Sequence, residues 1–166
     1  LRHRFENQAG FSGVVTRRAL HRLLRHPHVA SIEPVRTFLP SLAQGIPLIN
    51  GMIYRSQYNG TGVAVAIVDT GIDCLHPQLG GGAFPNAKVI GGYDFGDNDT
   101  NPVPNIAHGT ACAGIAAGDL AAVGDYIGGV AHGARIYSLK VSEDADPSGL
   151  ATTDALLAAW DWCISH

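Results

Sequence analysis

The stretch Gly62-Val63-Ala64-Val65-Ala66-Ile67-Val68-Asp69-Thr70-Gly71 decides the fold. From residue 62 to 68 it is a nearly unbroken β-favouring apolar run, the pattern of a strand buried on both faces of a parallel sheet. The run stops at an acidic residue, and parallel sheets hold their ligand sites at the carboxyl ends of their strands. Downstream, residues 88–95 offer a short strand in a turn-rich segment. Residues 108–118 include Gly109, Ala111, Ala113, Gly114, Ala116 and Ala117, which reads as a helix with sides small enough to pack closely. Another apolar strand is predicted over 134–141. After an acidic turn comes a helix over 153–164 with Leu156, Ala159, Trp160 and Cys163 on one face. Strand, helix, strand, helix predicts an α/β fold with a doubly wound parallel sheet.

Upstream the character differs. Residues 16–25 place Ala19, Leu20, Leu23 and Leu24 on one helical face, with Thr16 as N-cap, and Pro27 stops the helix. The alternation over 28–35 predicts a strand ending near Pro34. Pro40, Gly45, Pro47 and Gly51 then mark a lead-in without sustained period. Residues 1–36 carry Arg2, Arg4, Arg17, Arg18, Arg22, Arg25 and Arg36 against Glu6 and Glu33, whereas the remainder is acidic. The expected division is therefore a first unit at 1–38, a linker at 39–50 and a second unit at 51–166.

The composition, 46% hydrophobic and 15% charged with 21 glycines in 166 residues, is that of a compact, turn-rich globular chain. A net charge of −3 offers no basic surface for nucleic acid. No apolar run approaches the roughly 20 residues of a membrane span, and no targeting segment is recognisable. Cys74, Cys112 and Cys163 are an odd number with wide spacing, which is neither a disulfide framework nor a zinc pattern, and are expected to be small buried hydrophobes.

Asp69 alone reads equally well as a turn residue, and His108 alone as a cap or a packed imidazole. Together they describe more. A carboxylate beside a histidine fixes its tautomer and stabilises the imidazolium, so that the other ring nitrogen can take a proton from a hydroxyl.

The segment 65–73, followed by His76-Pro77-Gln78-Leu79, resembles the aspartate motif of the subtilisin-like (subtilase) family of serine proteases. His108-Gly109-Thr110-Ala111-Cys112-Ala113-Gly114 resembles its histidine motif, in the same chain order. The run 128–141 is similar to the strand region that follows, with His132 where proline is usual, and Ser148-Gly149 resembles the start of the edge segment that pairs with substrate backbone. Residues 11–33 resemble the carboxyl-terminal part of the inhibitory propeptide ahead of many subtilases.

This resemblance implies a secreted serine endopeptidase acting on polypeptides, made as a zymogen, with Asp69 and His108 as catalytic residues and Ser148 and Gly149 touching substrate. It also implies a monomer with its own propeptide as intramolecular inhibitor and chaperone, and processing within 39–50. No cofactor is required. Calcium-binding relatives often carry aspartate where Gln78 stands, so a structural calcium is not supported there. Cys112 matches a free cysteine found beside the histidine in one branch. The oxyanion-hole asparagine and the nucleophilic serine of the family fall beyond residue 166, so the chain by itself is expected to be inactive.

Other readings carry consequences of their own. Asp69-Thr70-Gly71 is also an aspartic-protease signature, which needs a second carboxylate. A pseudoprotease, or a binding or inhibitory module built on the first unit, is the non-enzymatic alternative. No His-Glu-x-x-His helix marks a metal hydrolase. His21, His26 and His28 in the first unit are candidate pH-responsive groups.

Overall fold

A computed structural model describes residues 1–38, 51–123 and 126–166, so the expected linker at 39–50 lies outside the described residues. In chain order the elements are β1 (His3–Arg4), β2 (Phe11–Ser12), α1 (Arg17–Leu23), β3 (Thr37–Phe38), α2 (Gly51–Tyr54), β4 (Ala64–Asp69), a 3-10 turn (Pro77–Leu79), β5 (Val89–Asp94), α3 (His108–Ala117), β6 (Arg135–Lys140), β7 (Ala151–Thr152) and α4 (Thr153–Ser165). The apolar runs become the parallel strands of one sheet, ordered β4-β6-β5. The intervening segments return as α3 on one face and α4 on the other. Val65, Ile67 and Ile136 pack with Ile72, Val89, Ala113 and Ala117 on the α3 side. Val68, Tyr137 and Leu139 pack with Ala155, Ala158 and Ala159 on the α4 side. Burying each large aliphatic side chain here contributes about 1.5–3 kcal/mol. This is the doubly wound α/β arrangement that the alternation predicts.

Register sets what stands at the carboxyl edge. Asp69 pairs with Lys140, and Asp94 pairs with Lys140 from the other side. The Lys140 ammonium is fully buried and lies 2.5 Å from Asp94 Oδ2, 2.8 Å from Asp144 Oδ1 and 3.4 Å from Asp97 Oδ2. Its pKa is raised: burial alone would lower it, but the hydrogen bonds to Asp144 and Asp94 outweigh that.

The first unit lies across α4. Asp161, buried on that helix, accepts from the backbone N–H of Glu6 (2.5 Å) and Asn7 (2.7 Å). Asp154 accepts from Ser12 Oγ (3.1 Å) and pairs with Arg2 (3.3 Å). β1 pairs antiparallel with β2, and β3 with β7. The β3 contact is extended by Thr153 N donating to Arg36 O and Arg36 N donating to Thr153 Oγ1, at 2.6 and 2.7 Å.

Four expectations are corrected. The strand predicted over 28–35 does not form, because among the described residues no strand lies beside it; pairing begins only where Thr37 meets Thr152. β4 is half-buried rather than buried on both faces, because among the described residues only β6 pairs with it. On α4 the buried positions are Asp154, Ala155, Ala158, Ala159 and Asp161, while Trp160 and Cys163 are exposed. That helix is rotated from the predicted face because its two aspartates serve the first unit. Of the cysteines, only Cys74 is fully buried.

Two outcomes follow from these contacts. Lys140→Met strands Asp94 in the interior and is expected to cost about 3–5 kcal/mol in urea denaturation. Adding Asp94→Leu should recover more than half of that loss, and simple additivity of the two losses would contradict the buried pairing. His3, 7% exposed against Phe95, has its pKa lowered by burial first, with the Arg2 charge lowering it further and Asp154 acting in the opposite sense. A lowered histidine pKa means the folded state favours the neutral ring. That contribution is complete above the ordinary value of about 6.5 and is lost as pH falls below it. The melting temperature should therefore fall between pH 7.5 and 5 with a slope that His3→Gln reduces.

Candidate active site

β4 delivers Asp69 to the carboxyl edge of the sheet, and the chain returns from its excursion through β5 to begin α3 at His108. His108 Nδ1 lies 2.7 Å from Asp69 Oδ1 and 3.0 Å from Oδ2. Both side chains are largely buried, at 15% and 17% exposed for Asp69 and His108. A carboxylate can only accept, so Nδ1 carries the proton and donates. Nε2 is left as the basic nitrogen.

The approach is close because residue 109 has no side chain. A Cβ there would stand 2.3 Å from Gly71 O and 3.1 Å from Asp69 Oδ1. Polar clamps hold the two segments. Thr70 N donates to Asp69 Oδ1 (2.7 Å), Gly109 N donates to Thr70 Oγ1 (3.0 Å), and Asp73 N donates to Thr110 Oγ1 (2.9 Å). In the sequence Thr70 stands only as the residue after Asp69, and Thr110 only as part of the histidine motif. The α3 start offered a signal, since Ala107 at its N-cap position has no side chain able to cap.

Cys112 follows His108 by one helical turn, with Sγ 3.7 Å from Nδ1 and 4.0 Å from Nε2. Its pKa is pushed up to about 11, by burial first and by the Asp69 charge second. A thiol so held stays protonated near neutrality and is a poor nucleophile.

The structure brings the edge turn to the same place. Gly149 is buried at φ 66°, and a Cβ on it would meet Ile106 Cδ1 at 2.0 Å and Thr70 Cγ2 at 3.2 Å. Ser148 is exposed, and its hydroxyl donates to Asp146 Oδ1 at 2.6 Å. Gln78 sits apart in the 3-10 turn, where its carbonyl accepts from Asp119 N (2.8 Å). The Asp119 carboxylate there is paired with Lys88 Nζ at 2.9 Å, and Arg55 donates to Gly128 O at 3.0 Å. Lys88 and Arg55 thus engage Asp119 Oδ1 and Gly128 O, and a backbone N–H engages the Gln78 carbonyl. His21, His26 and His28 are exposed, whereas His3 is the buried histidine of the first unit. No helix among the described residues is long and apolar enough to cross a membrane.

A model of the Subtilase family matches residues 60–161. Thermitase from Thermoactinomyces vulgaris is 43% identical over 97 residues, covering 58% of this chain and 31% of that protein. Subtilisin E from Bacillus subtilis (strain 168) is 33% identical over 156 residues, covering 90% of this chain and 37% of that protein. Alkaline serine exoprotease A from Vibrio alginolyticus is 33% identical over 123 residues, covering 74% of this chain and 20% of that protein. The chain thus spans 37% or less of the length of these relatives. With the family model enclosing both Asp69 and His108, and with the fold described above, this chain belongs to the Subtilase family.

Proposed function

We propose that this chain supplies the aspartate and histidine of a serine endopeptidase triad, and that residues 1–38 are the end of its inhibitory propeptide. The observation that carries the first part is the 2.7 Å contact between His108 Nδ1 and Asp69 Oδ1 at the carboxyl edge of the sheet. In the proposed reaction Nε2 of His108 takes the proton of a serine hydroxyl, supplied by residues outside this chain, as that oxygen attacks the peptide carbonyl. Asp69 holds the ring in the required tautomer and stabilises the imidazolium. His108 then returns the proton to the departing amine. Ser148 and Gly149, beside Thr70 and Ile106, would line the path of the substrate backbone. An aspartic-protease mechanism is disfavoured, because the partner of Asp69 is an imidazole and not a second carboxylate.

Two observations support the propeptide reading. The alignment with subtilisin E covers 90% of the chain and so runs well ahead of residue 60. β3 pairs antiparallel with β7, which begins two residues after Gly149, so the end of the first unit would lie toward the proposed substrate edge. A chain segment held there would block substrate until cut. We propose no calcium at Gln78, since the neighbouring oxygens are already engaged by Lys88, Arg55 and the backbone.

In the complete protein, Asp69→Asn should lower kcat by about 10,000-fold, read with a chromogenic peptide and abolished by serine-directed reagents. An effect under tenfold would remove Asp69 from the triad. Amino-terminal sequencing should find wild-type protein beginning within residues 39–50 and His108→Ala protein still carrying the first unit; processing unaffected by His108→Ala contradicts self-cleavage. The purified 166-residue chain should show no serine-reagent-sensitive hydrolysis.

A further inference from the structure

A helix start leaves backbone N–H groups without intrahelical partners, and these are usually satisfied by a side chain at the N-cap. α3 lacks that device, for its N-cap position is Ala107 with αR backbone angles and no side-chain hydrogen bond. The missing group comes from the turn that follows β4. Thr70, 2% exposed at the end of β4, accepts from Gly109 N at 3.0 Å and donates to Ile106 O at 3.3 Å. One hydroxyl therefore ties down both sides of residue 108. Thr70 N meanwhile donates to Asp69 Oδ1 at 2.7 Å, orienting the carboxylate that His108 contacts. The Thr70 methyl faces Gly149, where a Cβ would approach it to 3.2 Å.

We propose that Thr70 is a positioning residue that caps α3 from outside the helix and so locks His108 against Asp69. The claim rests on the triad reading above. Its physical basis is the steep dependence of proton transfer on geometry: a ring displaced by a fraction of an ångström loses alignment with both its carboxylate and the hydroxyl it must deprotonate. The two functions of the side chain separate by substitution. Thr70→Val keeps the methyl and removes the hydroxyl, whereas Thr70→Ser keeps the hydroxyl and removes the methyl.

The test compares these variants in the complete protein, with Val89→Ala as a control that weakens the core away from the site. Thr70→Val should lower kcat on the order of 10- to 100-fold with KM changed less than about threefold, and should alter the acidic limb of the pH–rate profile. Thr70→Ser should keep kcat within about threefold of wild type, and Val89→Ala should leave kcat per folded molecule unchanged. Proton NMR of the complete protein gives a second readout. The low-field imidazole proton shared by His108 and Asp69 should be sharp in wild type and Thr70→Ser, and broadened or lost in Thr70→Val. If the complete wild-type protein proves inactive the triad reading fails, while this resonance still reports on Thr70. An unchanged resonance and kcat in Thr70→Val, equal impairment in Thr70→Ser, or loss of folding in both Thr70→Val and Thr70→Ala would each overturn the positioning role.

Discussion

The parallel register of three strands is the constraint from which the site follows. Pairing Asp69 with Lys140 and Lys140 with Asp94 puts a cation between two strand-terminal carboxylates. Lys140 goes to one of them only. Its ammonium is enclosed by Asp94, Asp97 and Asp144, which leaves the Asp69 carboxylate to His108. A one-residue slip of β4 would turn Asp69 to the opposite face of the sheet and end the contact with α3. The close approach of the helix is set by small groups, chiefly Gly109 against Gly71 O, and its polar tethering by Thr70 and Thr110.

The first unit engages the rest of the chain by a different logic from the one its charge invites. Its arginine-rich helix α1 points Arg17, Arg18 and Arg22 to solvent, and no residue of that helix is buried. The unit's contacts run instead through the pairing of β3 with β7 and through two carboxylates of α4, Asp154 and Asp161, which receive backbone N–H groups, a serine hydroxyl and Arg2. Charge-assisted hydrogen bonds to backbone are stronger than exposed ion pairs and are insensitive to the identity of the donor residue. Most of the arginines that produce the charge asymmetry do not make the contact.

Much of the fold was legible because its signals are local. The run 62–68 became a parallel strand, though half-buried, the small-residue segment from His108 became a helix and the apolar segment 134–141 a second strand, and their alternation specified a parallel sheet with helices on both faces. The misjudged elements depend on partners that no local pattern reveals. Residues 28–35 alternate like a strand but have no pairing partner among the described residues, and Trp160 lies on the apparent apolar face of α4 yet is 53% exposed because Asp154 and Asp161 turn the helix toward the first unit. In the site, Asp69 and His108 were legible through spacing and motif. Thr70 was not, because its hydroxyl acts on a helix 39 residues away.

The central claim is that Asp69 and His108 form the proton-handling half of a serine nucleophile's machinery. Reacting the complete protein with a fluorophosphonate and mapping the adduct by mass spectrometry tests it most directly. The account predicts a single modified serine outside residues 1–166, with labelling that collapses in His108→Ala. Labelling of a serine within this chain, of Cys112, or at a rate indifferent to His108→Ala would contradict it.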